Sequence, residues 1–269
     1  MQITTDGLDS GVFVSVVALA REAGEAILAV YEAPEDPQVV RKADDTPLTQ
    51  ADLSAHRVIA RGLQALTPSI PVVSEEDEQS LVFRKSQGQF WLVDPLDGTK
   101  EFLARNGEFT VNIALVVEGE ALWGVVVAPE LGATYWGGRG LGAFVDRGQG
   151  PVALAGVSSP GSGPVRVVAS KSHLNQETAR FIEALGPHAL VQAGSSLKFC
   201  RLAEGQADLY PRLSPTSEWD TAAAQAVLEG AGGRVLTREG APLRYGKAEL
   251  INPSFVAVAP AYSGPGVPC

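Results

Sequence analysis

Two aspartates three residues apart close an apolar run in the stretch Phe90–Asn112, FWLVDPLDGTKEFLARNGEFTVN. Phe90, Trp91, Leu92 and Val93 have the length and the aromatic and β-branched content of a short buried strand. Asp94 ends it, and Pro95 has no N–H with which to continue the ladder. Asp97, Gly98 and Thr99 then stand where the helical stretch Lys100–Ala104 begins. Carboxylates at 94 and 97 on so sharp a turn can point at one spot, together with the N–H groups of Gly98 and Thr99. Converging carboxylates suit a hard divalent cation such as Mg²⁺. Amide N–H groups at a helix start suit a phosphate. The combination points to metal-assisted phosphate chemistry. An acid before a helix is ordinarily a cap and Asp-Gly ordinarily a turn, but neither needs a second acid at the end of a buried strand.

Two rival motifs fail on spacing. An Asp-x-Asp-Gly-Thr phosphatase needs a nucleophilic aspartate two positions before Asp97, where Pro95 stands. An EF-hand loop needs acids alternating through Asp94, Leu96 and Gly98, and they do not.

Other acids occupy comparable places. Glu75 closes the short strand Ile70–Ser74 as Asp94 closes its own, so if the two strands are neighbours both acids emerge at one sheet edge. Asp77 and Glu78 read as a solvated acidic face. Asp52 follows Thr49 at the start of a helix running to Leu66, where it is either a first-turn acid favoured by the helix dipole or a site residue. His56, one turn on, reads as structural. Asp220, in SEWDTAAAQAVLEGAGG at the first turn of the Ala-rich helix Trp219–Gly230, is either a helix-start carboxylate or, since Trp219 and the run of Ala make a tightly packed helix start, a fixed ligand. Lys171, His173, Lys198 and Arg212 fall at strand ends and helix starts, where they could hold a second phosphate or a ribose.

The elements that must position these residues divide into two halves. In residues 1–150, a helix from Ser10 carries the stripe Val12, Val16, Ala20, Ala23, Ile27 and Val30 and ends at Pro34 and Pro37. A loop with Asp44, Asp45 and Pro47 leads to the second helix. Hairpins Thr110–Val117 with Ala121–Ala128, and Thr134–Trp136 with Ala143–Asp146, complete an α+β half. The Gly-, Ser- and Pro-rich Gly148–Pro164 is the boundary. Residues 151–269 alternate strands (Val165–Ser170, Ala189–Ala193, Ala207–Tyr210) with helices (Asn175–Leu185, Ser195–Glu204, Trp219–Gly230) and add Arg234–Thr237 and Phe255–Ala259, an α/β half.

Composition narrows the partners. The chain has 269 residues, 45% hydrophobic and 19% charged, enough for an ample core. With a net charge of −10 and no basic face, it does not read as a binder of nucleic-acid polymers. An anionic substrate would need local cations, either metal or placed Lys and Arg. Cys200 and Cys269 read as free thiols in a reducing cytoplasm. The acidic N-terminus with Asp6 and Asp9 does not read as a signal peptide. The longest apolar run, Gly11–Ala20, is too short to span a membrane. Monomer and homodimer, and loose association with the inner membrane face, stay open.

The set Glu75-Glu76, Asp94-Pro-Leu-Asp97-Gly-Thr99 and Trp219-Asp220 resembles the inositol monophosphatase superfamily of lithium-sensitive, Mg²⁺-dependent phosphatases. DPLDGTKEF at 94–102, RNGEFTVNIAL at 105–115, GSSLKFC at 194–200, AEGQADLYPR at 203–212 and PTSEWDTAA at 215–223 resemble its 3'(2'),5'-bisphosphate nucleotidase branch, the CysQ type. The likeness runs from about residue 10 to 260. It implies a layered αβαβα sandwich of the inositol monophosphatase and fructose-1,6-bisphosphatase type, with the site between the halves. It implies that Glu75, Asp94, Asp97, Asp220 and the Leu96 carbonyl hold two or three Mg²⁺, and that Asp52 and Thr99 form a pair which, with Glu75, activates the attacking water. Leu96, Asp97, Gly98 and Thr99 would hold the phosphate, and Ser195, Lys198, Arg212 and His173 the nucleotide. Ala224 stands where Gly is common and Lys171 where Arg is common. The implied reaction, within sulfur metabolism, takes 3'-phosphoadenosine 5'-phosphate to AMP, with 3'-phosphoadenylyl sulfate as second substrate. The alternatives are an inositol or sugar phosphate as substrate, or a non-catalytic nucleotide sensor.

Overall fold

The computed structural model describes residues 8, 10–33, 39–41, 47–86, 88–154, 163–170 and 175–268. Helix α1 spans Ser10–Tyr31, a ribbon pairs β1 (Val40–Arg41) with β2 (Pro47–Leu48), and α2 spans Gln50–Leu66. The apolar stripe of α1 is buried at Val16, Ala20, Ala23 and Ile27, in one cluster with Ala51, Ala55, Ile59 and Leu63 of α2.

Next comes a sheet of seven strands in sequence order. These are β3 (Val72–Ser74), β4 (Gln89–Asp97), β5 (Thr110–Val117), β6 (Glu120–Ala128), β7 (Ala133–Gly138), β8 (Gly142–Asp146) and β9 (Val152–Ala153). Only the β3–β4 pairing is parallel. A 3-10 turn (Glu78–Val82) and the one-turn helix α3 (Phe83–Ser86) follow β3, and α4 (Thr99–Leu103) follows β4.

The second sheet contains β10 (Val165–Ser170), β11 (His188–Ala193), β12 (Leu209–Arg212), β13 (Arg234–Thr237) and β14 (Phe255–Val258), in the order β11-β10-β12-β14-β13. Helices α5 (Gln176–Ala184), α6 (Leu197–Ala203) and α7 (Ala222–Gly230) connect them. Strand β10 runs parallel to β11 and β12, and β14 antiparallel to β12 and β13.

Three apolar clusters set the layers. Trp91, Val93, Ile113, Leu115 and Val125 on one face of the seven-stranded sheet pack with α1 and α2. Phe90, Leu92, Ala114, Val116 and Val126 on the other face share a core with α6, α7 and the inner face of the second sheet. Val167 and Ala169 on that sheet's outer face meet Ile182 of α5. The result is the expected αβαβα stack. It also explains why Thr110–Val117 shows no apolar–polar alternation: it is buried on both faces, so period 2 has no polar side to display. Helix α7 lies so close on the central sheet that a Cβ at Gly124 would come 2.4 Å from the Ala223 carbonyl oxygen. Ala222, Ala223, Ala224 and Ala226 keep that helix thin enough to fit.

Candidate active site

Pro95 interrupts the β4 ladder but does not end the strand. Asp94 pairs with Asn112 and Asp97 with Thr110, so three steps along β4 oppose two along β5. This is a bulge of one extra residue. Its effect is chemical. In a regular strand, residues i and i+3 point to opposite faces; the bulge returns Asp97 to the side of Asp94, and both line one cavity of about 310 Å³. The chain then turns at Gly98, whose φ of 93° lies in the left-handed region and which caps α4 without a side-chain bond. Asp97 is therefore not the helix cap.

Glu75 reaches the same cavity because β3 and β4 are parallel neighbours, with Ser74 paired to Val93. Its amide donates to the Val93 carbonyl at 3.1 Å, which sets Glu75, just past the end of β3, beside Asp94 inside β4. Asp220 comes from the other half. It lies ahead of α7, whose cap is Thr221, and not in the first helical turn that the sequence implied. Its Oδ2 accepts from the Ser217 amide at 2.9 Å, which folds the 217–220 loop and directs this acid into the cavity.

Asp52 is the first-turn acid of α2 and also comes near Thr99, though it does not itself line the cavity. Its Oδ2 accepts from the Thr49 amide (2.7 Å) and hydroxyl (2.6 Å) in a capping box that starts α2. Its Oδ1 stands 3.4 Å from the Thr99 hydroxyl. His56 bonds Ser74 at 2.9 Å, the structural part expected of it.

Among the residues that the resemblance assigns to the nucleotide, Lys198 and Arg212 line the cavity from the second half. Lys198 is buried, 5% exposed, with its Nζ 5.6 Å over the Tyr210 ring. Burial pushes its pKa down to about 8, while the charge of Asp97 works the other way. Arg212 donates to the Ser214 and Pro215 carbonyls at 3.2 and 3.0 Å. Ser195 also lines the cavity, but its hydroxyl is turned to backbone, 2.9 Å from the Asp97 carbonyl and 2.7 Å from that of Glu108. His173, like Lys171 and Cys269, lies outside the described residues.

The acids crowd one another. Burial raises the pKa of Asp94 well above the carboxylate range, and Glu75, Asp97 and Asp220 push it further. Burial lifts Asp97 to about 6, against the opposing charge of Lys198, and lifts Asp220 to about 8, with the charges of Asp97 and Glu75 adding to the rise. Asp52 is raised as well, by burial first and by Glu75, against the bonds from Thr49. Confining like charges in a buried space is unfavourable unless a cation compensates. The donors are oxygens only, which suits a hard ion. Among the described residues, no three Asp, Glu, His or Cys side chains are grouped so that they could hold a metal ion by themselves. An ion here would draw on backbone and water oxygens too, as Mg²⁺ habitually does.

A family model for the inositol monophosphatase family matches residues 10–262. The chain belongs to that family. It is 47% identical over 241 residues to the 3'(2'),5'-bisphosphate nucleotidase CysQ of Salmonella typhimurium, covering 89% of this chain and 96% of the relative. The same figures hold for the nucleotidase CysQ of Escherichia coli K12. A solved structure of CysQ from Bacteroides thetaiotaomicron, described as a bacterial member of the inositol monophosphatase family, superposes with a TM-score of 0.82 at 38% identity, covering 96% of this chain and 100% of that one.

For this member of the family, the structure adds residues that sequence reading passed over. Asn112 places its Nδ2 3.4 Å from Asp97 Oδ2 and accepts from Ser196 at 2.8 Å, and Ser196 in turn lies 2.9 Å from Thr110 Oγ1. This buried relay, with Ser195 beside it, joins the Asp97 turn to the start of α6 across the two halves. The only sequence signal was a polar residue inside an otherwise apolar strand. The approach leaves no room at Gly98, where a Cβ would lie 2.1 Å from Ser195 Oγ. Gly98→Ala is therefore expected to cost about 2–4 kcal/mol of stability, from left-handed strain and overpacking together, measurable by denaturant unfolding. An unchanged midpoint would show that the turn is loose.

Proposed function

We propose that the protein is a 3'(2'),5'-bisphosphate nucleotidase that removes the 3'-phosphate of 3'-phosphoadenosine 5'-phosphate, giving AMP, and acts likewise on 3'-phosphoadenylyl sulfate. The observation that carries this reading is one cavity in which Glu75, Asp94, Asp97 and Asp220, drawn from both halves of the fold, face Lys198 and Arg212. Relatives 47% identical over most of the chain bear that activity in their names.

The four carboxylates and the Leu96 carbonyl would hold Mg²⁺, two or three ions per site. Bound, the ions supply charge neutralisation of the phosphate dianion, a lowered pKa for one water and stabilisation of the leaving alkoxide. The chain's own residues do the rest. Asp52 accepts from the Thr99 hydroxyl and so turns the lone pairs of Thr99 Oγ1 toward the cavity. There that oxygen would accept a hydrogen bond from the attacking water, whose proton passes to the Glu75 carboxylate or, as the Thr99 hydroxyl gives up its own proton, through Thr99 to Asp52. The backbone of Leu96–Thr99 receives the phosphate being cleaved. Lys198 and Arg212 pair with the second phosphate. No Cys or His among the described residues lines the cavity, in keeping with direct attack by water. Among the described residues no helix is long and apolar enough to cross a membrane; a cytoplasmic enzyme acting on a free nucleotide fits that finding.

Phosphate release from 3'-phosphoadenosine 5'-phosphate and from inositol 1-phosphate, compared under Mg²⁺, tests the substrate. The nucleotide is expected to react faster; equal or reversed rates would move the assignment to a sugar phosphatase. Lys198→Ala should raise KM for the bisphosphate by about tenfold or more, a lost charge-assisted contact being worth about 1.5–3 kcal/mol, while kcat changes little. A drop in kcat with KM unchanged would place Lys198 in the chemistry instead.

A further inference from the structure

Glu218, beside Trp219 and Asp220, does not line the cavity. It is a fully buried carboxylate, 0% exposed. Its oxygens accept from the amides of Gly246 and Lys247, each at 3.0 Å, and from Lys247 Nζ at 2.6 Å. Arg84, also buried, faces it from the other half: its Nε, without a hydrogen-bond partner, stands 3.5 Å from Glu218 Oε2, and its Nη2 donates to the Lys247 carbonyl at 2.7 Å. Arg84 and Glu218 are almost wholly removed from water and Lys247 partly so, with 25% of its side chain exposed; burying a triad of charges in this way is costly and contributes little net stability. Its position supplies another reason for it.

Arg84 lies in α3, at the end of the segment that begins with Glu75. That segment is tied down at its start, where the Ser74 amide donates to Ser80 Oγ at 3.1 Å. Glu218 lies in the loop that carries Asp220. Lys247 also donates to Asn252 Oδ1 at 3.1 Å, which fixes the Asn252 amide so that its Nδ2 reaches the Ser217 carbonyl (2.8 Å) and Thr221 Oγ1 (3.0 Å), on either side of Asp220. Each arm of the triad thus ends on a segment bearing a cavity carboxylate.

We propose that Glu218 is a positioning residue: with Arg84 and Lys247 it clamps the segment after Glu75 to the loop that carries Asp220, and so sets the spacing of two carboxylates that come from different halves of the fold. This rests on the reading of those carboxylates as Mg²⁺ ligands. Loss of the clamp loosens the ligand set without removing a ligand, as loss of an outer hydrogen-bonding partner does at other metal sites, where affinity falls about 10–100-fold.

The test uses the full chain. Mg²⁺ binding is measured by calorimetry, and phosphate release is titrated with Mg²⁺, for the unaltered protein, Glu218→Gln and Glu204→Gln. Glu204 is a buried acid paired with Arg147 and Tyr135 away from the cavity, and serves as the control for generic loss of stability. Glu218→Gln is expected to bind Mg²⁺ about tenfold more weakly and to recover kcat to within about threefold at saturating Mg²⁺, whereas Glu204→Gln leaves the Mg²⁺ curve unmoved. A Glu218→Gln protein that is less stable but has an unshifted Mg²⁺ curve overturns the proposal. If Glu218→Gln does not fold, Lys247→Met, which cuts the link to both Glu218 and Asn252, must show the same shift or the proposal fails. An unaltered protein that neither binds nor needs Mg²⁺ would defeat the metal reading itself, and the clamp with it.

Discussion

Asp94→Asn is expected to lower kcat/KM by about three orders of magnitude or more while raising the melting temperature of the protein in chelator. In the proposed reaction Asp94 is one charge of an ion site whose ions would carry the chemistry, and the first effect follows from removing it. The second follows from the same charge seen without an ion. Asp94 is 2% exposed, and both burial and the neighbouring acids oppose its ionisation. The amide is nearly isosteric, and its oxygen can still accept from the Leu96 amide as Asp94 Oδ1 does at 3.1 Å. The fold therefore keeps its local bond and loses a repulsion. Steady-state phosphate release and thermal scans in chelator measure the two. Opposite signs mark a ligand; a loss of both activity and stability would mark Asp94 as structural. Near-normal activity would remove the metal model altogether.

The second large effect is on stability against pH. In chelator the protein should become less stable as pH rises from about 4 to about 8, and saturating Mg²⁺ should reverse the trend. Burial lifts the folded-state pKa of Asp97 to about 6 and of Asp220 to about 8, against an ordinary value of 3.8. Between those limits the folded state holds more protons than the unfolded state, so stability falls with pH. Below the ordinary value both states are protonated and the penalty is absent. Above about 8 it is fully present. Mg²⁺ favours the ionised acids, so the gain in melting temperature on adding it should grow across the same window. Thermal scans over pH with chelator or with Mg²⁺ measure this. A chelated protein whose stability rose through the window would contradict the crowding of these acids.

The sequence carried much of this candidate site because its proposed ligands are punctuated by features with few structural readings. An acid directly after a short apolar, β-rich run is unusual, and Glu75 and Asp94 both show it. Parallel pairing of β3 and β4 then makes them neighbours, which the sequence could state only as a condition. The bulge was not legible: Pro95 reads as the end of a ladder, and only the register with β5 shows that the ladder resumes at Asp97. Asp220 lies before its helix because Ser217 and Asp220 form their own turn ahead of the Thr221 cap, a choice local propensity does not decide. Ser195 illustrates the opposite difficulty. The resemblance assigns Ser195 to the nucleotide, yet here close contact between the halves turns its hydroxyl onto two carbonyls. Glu218 and Asn112 act through partners far along the chain, and no spacing within one segment reveals such contacts.

The measurement that bears most directly on the account is anomalous diffraction from crystals of the protein soaked in Mn²⁺ as a stand-in for Mg²⁺. The account predicts at least one strong peak within coordination distance of Asp94, bounded by Glu75 and by Asp97 or Asp220. A protein that turns over the bisphosphate while its Mn²⁺ binds elsewhere, or nowhere, would contradict it.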